Sequence, residues 1–266
     1  LCKGQLIPDA QQKKTWIEFS HRITSGLFGI LVIFLTWKGR LLYNKAERIR
    51  TALTSTLVFT ITEALLGAKL VLFGLVGNND SGFRLLAMSL HQINSMLLSG
   101  SVALVVIYSG PLLEKINAEK ETARRSSPLN WQLSWPILML VVAVTGGLAA
   151  LSTTLFPSVS LVDGFMQDLA SDSHYLLRLR ISHPFLASLV GGGAALFFWL
   201  ESQRDYNEIL RKTCFQMSLI YVVAVIFGYL TLLSLTPAWM KIVHLLIAHI
   251  VWISLVRWYV VRRLSR

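Results

Sequence analysis

Charge is scarce in this sequence. Of its 266 residues only 15% are Asp, Glu, Lys or Arg, where a soluble domain carries about 25%. That shortage excludes an ordinary soluble globular protein, and the mean hydropathy of +0.57 agrees. The polar tracts of a disordered chain are missing too, because 54% of the residues are hydrophobic. Cysteine is almost absent: with Cys2 and Cys214 as the only 2, neither a disulfide framework nor a Cys-rich metal site can be built. Acidic residues are few as well, 14 against 25 Lys and Arg, for a net charge of +11. Such an excess suits a nucleic-acid-binding protein. In a membrane chain, however, basic residues in cytoplasmic loops are its ordinary origin, and no nucleic-acid partner is expected.

What the sequence has is long apolar runs. A bilayer core needs roughly 20 apolar residues as helix. Seven segments qualify, at about 20–43, 51–76, 84–110, 131–156, 180–200, 211–235 and 239–261. The fold class expected is an all-α polytopic membrane protein, with no loop long enough for a soluble domain. Loops alternate sides. On one side lie Lys38, Arg40, Lys45, Arg48, Arg50, Lys115, Lys120, Arg124, Arg125, Arg204, Arg211, Lys212, Arg257, Arg262, Arg263 and Arg266, which is 16. On the other lie Lys3, Lys13, Lys14, Arg22, Arg84, Arg178, Arg180 and Lys241, which is 8. The bias puts the first set in the cytoplasm and the start of the chain outside. Leu1 is not Met and no signal peptide precedes it. The expectation is a further span before it, eight in all.

The chain has 6 histidines. On this topology His21, His183 and His244 each lie near an outer span end, and His91 lies roughly 10 Å in at helical rise. Four helices then present one His at similar depth. Ionisable residues within spans are costly, which makes these four candidate functional residues. A weak internal repeat runs through the same positions: Glu18-Phe-Ser-His21 aligns with Arg180-Ile-Ser-His183, Gly29 with Gly191, and Ser101 with Ser254. It suggests two pseudo-symmetric four-helix bundles, residues 1–130 and 131–266, each with a His pair.

Zinc would take three or four ligands, usually with a carboxylate or Cys. Haem takes one or two axial ligands from opposite faces of a flat ring, a geometry two facing helices supply. Gly26, Gly29, Gly100, Gly191, Gly192 and Gly193 lie on these spans and serve either ring approach or close helix packing. Arg22, Arg178, Arg180 and Lys241 share the outer level and suit either haem propionates or lipid headgroups. His249 points about 140° away from His244 toward another neighbour. His174 falls in an outer loop with Asp163, Asp168 and Asp172 and reads as surface.

Leu1-Cys2-Lys3-Gly4, Pro8, Trp16-Ile17-Glu18 and His21-Arg22 resemble the first outer loop and second span of the haem A synthase family. Thr154-Leu155-Phe156-Pro157, Arg178-Leu179-Arg180 with His183-Pro184, and His244-Leu245-Leu246-Ile247-Ala248 resemble its second half. The resemblance implies an eight-helix enzyme of the bacterial inner membrane, with haem sites near the outer face, that oxidises the methyl group of haem O to the formyl group of haem A. It implies a haem b cofactor held by His183 and His244, and substrate haem held by His21 and His91. It implies as partners the haem O substrate, haem O synthase, cytochrome oxidase assembly, a redox partner of unidentified kind and the lipid bilayer, and leaves a homo-oligomer open. Many members carry a Cys pair in the first outer loop; Cys2 matches its second member.

The halves differ three residues before the first His, Glu18 against Arg180, and residues three apart share a helix face. A carboxylate there can take protons or stabilise positive charge during oxidation, so Glu18 is the candidate catalytic residue. Arg180 would hold a propionate of the cofactor, and Arg22 one of the substrate. Glu63 and Lys69 fall inside one span, six apart, and suit either a proton path or a hydrogen bond to a neighbouring helix. Two other classes compete: a bis-His cytochrome b that only passes electrons, and a transporter built on a repeat, which would need broken helices and midplane binding groups.

Overall fold

A computed structural model describes residues 13–119, 134–204 and 206–264. Cys2 and the loop Arg124 and Arg125 lie outside the described residues. Ten helices follow one another: α1 Lys13–Leu42, α2 Arg48–Leu72, α3 Gly82–Ser109, α4 Pro111–Glu119, α5 Ser134–Leu155, α6 Leu161–Leu169, α7 Tyr175–Arg180, α8 Ser182–Ser202, α9 Glu208–Leu233 and α10 Ala238–Leu264. Seven are long and apolar enough to cross a membrane, with α7 and α8 counted as one span. The protein is thus an all-α polytopic membrane protein, with the expected spans in the expected order.

Three short helices stand where loops were expected. In α6, Ser160 caps the start by accepting from the Asp163 amide, and Val162, Phe165, Met166 and Leu169 form an exposed apolar stripe. The break between α7 and α8 at Ile181 has a local cause. Pro184 has no N–H to give to the Arg180 carbonyl, so the helix is interrupted and a new one begins at Ser182, with His183 in its first turn.

The spans run up and down, so loops gather at two ends. At the histidine end, the α2–α3 loop meets α7: the Tyr175 hydroxyl donates to the Asp80 carbonyl and His174 Nε2 lies 3.3 Å from the Asp80 carboxylate. His174 also stacks against Phe156 and Tyr175, at 5.0 and 4.4 Å between ring centres. The α9–α10 turn is tight, with Leu235 and Thr236 both at positive φ, 57° and 52°, a conformation that costs roughly 1–2 kcal/mol per non-glycine residue.

Toward the basic end lies a cluster of buried aromatic and aliphatic side chains. Phe198 stacks on Tyr221 and meets Trp258 edge-on, at 5.8 and 5.0 Å. Trp258, Phe198, Met217 and Val261 are almost wholly buried. Beside them Arg262 donates to Glu201 at 2.6 Å, both groups sealed from solvent. The Tyr206 hydroxyl and Arg204 complete the carboxylate's contacts, each at 2.9 Å. α1, α2 and α3 pack side by side, α8 to α10 form a second group with α5, and α3 joins the two through α10 and α5. At that junction Gly100 gives way to the Trp252 indole and the Ser99 hydroxyl meets His249 Nδ1 at 3.1 Å. His249 therefore faces α3, away from His244.

Candidate functional site

His183 on α8 and His244 on α10 come together. Their ring centres are 6.3 Å apart, with the planes at 72°. Each ring is backed by a glycine of a neighbouring helix. A Cβ at Gly146 of α5 would stand 2.8 Å from His183 Cε1, and one at Gly228 of α9 would stand 3.1 Å from His244 Cε1. A larger residue at either position would displace the ring. Phe227 stacks against His244 at 6.3 Å.

The hydrogen bonds assign the His183 tautomer. The Thr145 hydroxyl donates to the Val142 carbonyl at 2.9 Å and so meets His183 Nδ1, 3.2 Å away, as an acceptor. Nδ1 then carries the proton, and Nε2 keeps a free lone pair. His244 Nδ1 is buried with no hydrogen-bond partner. With metal–nitrogen bonds of about 2 Å on either side, two imidazoles sharing one metal have ring centres roughly 6 Å apart. The ring separation is one at which His183 and His244 would hold a haem iron between them. Among the described residues, no group of three or more His, Cys, Asp or Glu suits a metal held by protein ligands alone.

The first half is arranged differently. His91 on α3 lies against α2, where a Cβ at Gly67 would sit 3.7 Å from its Cε1. Gly67 stands five residues before the end of α2 and Gly228 five before the end of α9, so the two glycines hold matching positions. His91 Nδ1 lies 3.5 Å from Glu63 Oε2. Glu63 also accepts from Asn94 Nδ2 at 2.7 Å. Of the two roles open to Glu63, the structure shows the bond to a neighbouring helix. Lys69 is exposed and turned elsewhere.

His21 stands on an exposed face of α1, a helix that packs on α2 rather than on α3. Among the described residues no ring contact joins His21 to His91. Glu18 forms an ion pair with Arg22 one turn on, so the two candidate charges flanking His21 hold each other. Arg180 is turned to the loop. It bonds both carboxylate oxygens of Asp168 and the carbonyls of Phe156 and Gly164, which ties α6 to the start of α8. The Asp168 contact was not foreseen because Asp168 belongs to a short helix that the span pattern did not reveal. Lys241 donates to the Thr154 hydroxyl at 2.9 Å, and Arg178 to Ser173 and Ser171.

Of the glycines singled out from sequence, Gly26, Gly29, Gly192 and Gly193 face open space, while Gly191 meets Val225. Those that touch histidines are Gly67, Gly146 and Gly228. For Gly67 and Gly228 the shared signal is their matched distance from the ends of α2 and α9.

The profile of the COX15-CtaA family, described as cytochrome oxidase assembly protein, matches residues 5–256. The chain belongs to this family. A protohaem IX farnesyltransferase of Thermus thermophilus is 32% identical over 261 residues, which is 96% of this chain and 41% of that protein. Haem A synthases of Bacillus mycoides and Bacillus anthracis are 39% identical over 77 residues, 28% of this chain and 24% of theirs. The chain thus spans less than half the length of the relatives it matches. No solved structure matches it.

Proposed function

We propose that this family member is a haem A synthase, which oxidises the methyl group of haem O to the formyl group of haem A for the assembly of terminal oxidases. The observation that carries the reading is the His183–His244 pair, at a separation that suits a shared haem iron and backed by Gly146 and Gly228. Haem b held there would supply electron transfer. Thr145 keeps the His183 Nε2 lone pair free for it, and Arg180, by fixing α6 against α7, holds the start of α8 in place.

Substrate haem binds in the first half, with His21 and His91 as its ligands and Arg22, whose pair with Glu18 is exposed and open to exchange, beside His21 for a propionate. Oxidation of a methyl to a formyl group removes protons as well as electrons and adds one oxygen. Glu18 is the carboxylate beside His21 that takes a proton or meets developing positive charge. The name of the Thermus relative raises farnesyl transfer as a second reading. A diphosphate leaving group is ordinarily handled by Mg²⁺ on carboxylates. Here Asp168 is committed to Arg180, and Asp163 to Val159 and Gln167. The histidine-lined site favours haem chemistry.

The test is expression in a host that makes haem O but not haem A, followed by extraction and chromatography of its haems. Haem A is expected. Glu18→Gln should keep haem b but accumulate haem O or its alcohol, with a rate loss on the order of a hundredfold or more. His183→Ala and His244→Ala should lose haem b from the purified protein. A haem b spectrum without any haem A would make the protein an electron carrier instead. New farnesylated haem in a host that lacks haem O would establish the transferase.

A further inference from the structure

The α2–α3 seam is polar where its counterpart in the other half is not. Phe59, Thr62, Glu63 and Gly67 of α2 face His91 and Asn94 of α3. Asn94 Nδ2 donates to the Phe59 carbonyl at 2.9 Å and to Glu63 at 2.7 Å. Because a carbonyl only accepts, the Phe59 bond fixes which way the amide points. Asn94 Oδ1 then accepts from the Thr62 hydroxyl at 2.6 Å. Glu63 Oε2 is thereby held 3.5 Å from His91 Nδ1, at ion-pair distance, and that nitrogen has no hydrogen-bond partner in the protein. With Gly67 matched to Gly228, Glu63 falls on Ala224 and Thr62 on Val223. With His91 matched to His244, Asn94 falls on Ile247. The second half has no carboxylate here.

The three half-buried histidines therefore differ in what stands at Nδ1: no hydrogen-bond partner for His244, the Thr145 hydroxyl for His183, and a carboxylate at ion-pair distance for His91. A carboxylate on the far nitrogen of a ligating imidazole fixes its tautomer and orientation and raises its basicity. We propose that Glu63, held by Asn94 and Thr62, is a positioning residue for His91 that directs its Nε2 lone pair at the substrate haem and makes it the strongest donor of the set. This rests on the functional reading above. It places electron donation in the half where the methyl group is oxidised and leaves the retained cofactor with weaker donors.

The test uses the purified full chain in detergent, with its copurified haem b in place, titrated with ferric protohaem and followed in the Soret region. Wild type should take up an added equivalent, and His91→Ala should lose it. Glu63→Ala should weaken it about ten- to a hundredfold. Glu63→Gln, which keeps an acceptor but no charge, should weaken it less. The reduction potential of the added haem should rise in both Glu63 variants, while the spectrum of the copurified haem b stays unchanged as the sign of an intact fold. A role limited to joining α2 and α3 would not move that potential. If both Glu63 variants bind and reduce the added haem like wild type while His91→Ala does not, the proposal is overturned and the functional reading stands. If His91→Ala also binds like wild type, or wild type takes up no added haem, ligation by His91 fails and the proposal fails with it.

Discussion

A histidine ligand is defined as much by what stands behind its ring as by what stands in front. Gly146 and Gly147 test this, being adjacent in α5 and differing in what they touch. A Cβ at 146 would collide with His183 at 2.8 Å, whereas one at 147 meets nothing within 4 Å. Gly146→Ala should therefore push the imidazole aside and lower haem b retention by at least about tenfold, within the range for a disturbed ligand support. Gly147→Ala should retain haem b and gain about 0.5–1 kcal/mol from helix propensity. Haem content per purified protein and a thermal melt measure both. The sequence made the four histidines and Glu18 conspicuous, because ionisable groups in apolar spans stand out. It could not show Glu63 beside His91. Whether Glu63 faces α3 or lipid depends on the rotation of α2 about its own axis, and α2 carries Thr residues on several faces.

At the scale of elements, the apolar runs were long enough to show the seven spans directly. The short helices α4, α6 and α7 were not visible in that way. They are too brief for hydropathy to mark, and α6 is set by a Ser160 cap and its own stripe. The consequence at the site is specific: Asp168 rides on α6 and bonds Arg180 beside the start of α8. A second pairing that spacing did not reveal joins α8 to α10 at the opposite end, where Glu201 and Arg262 are 1% and 0% exposed. Removing one partner leaves the other charged and buried. Arg262→Met or Glu201→Leu alone should cost about 3–5 kcal/mol, while the double replacement should come near to wild type. Thermal unfolding in detergent, in all four combinations, checks this.

For the whole molecule, the basic residues gathered at one set of loops predict the orientation. With Cys2 and Cys214 replaced by Ser, a cysteine at Ser160 should react with a membrane-impermeant reagent added outside intact cells, and one at Gln203 should react only after lysis. The reverse pattern would turn the histidine end to the cytoplasm. Packing is uneven along the same axis. The aromatic cluster of Phe198, Tyr221 and Trp258 sits at the basic end, and the histidines stand at the other, near glycines and strained turns. What keeps the chain folded is thus separated along the spans from the histidine pair. Mutational freedom is distributed accordingly: the histidine end can change residue by residue while the fold is maintained from the opposite end of the spans.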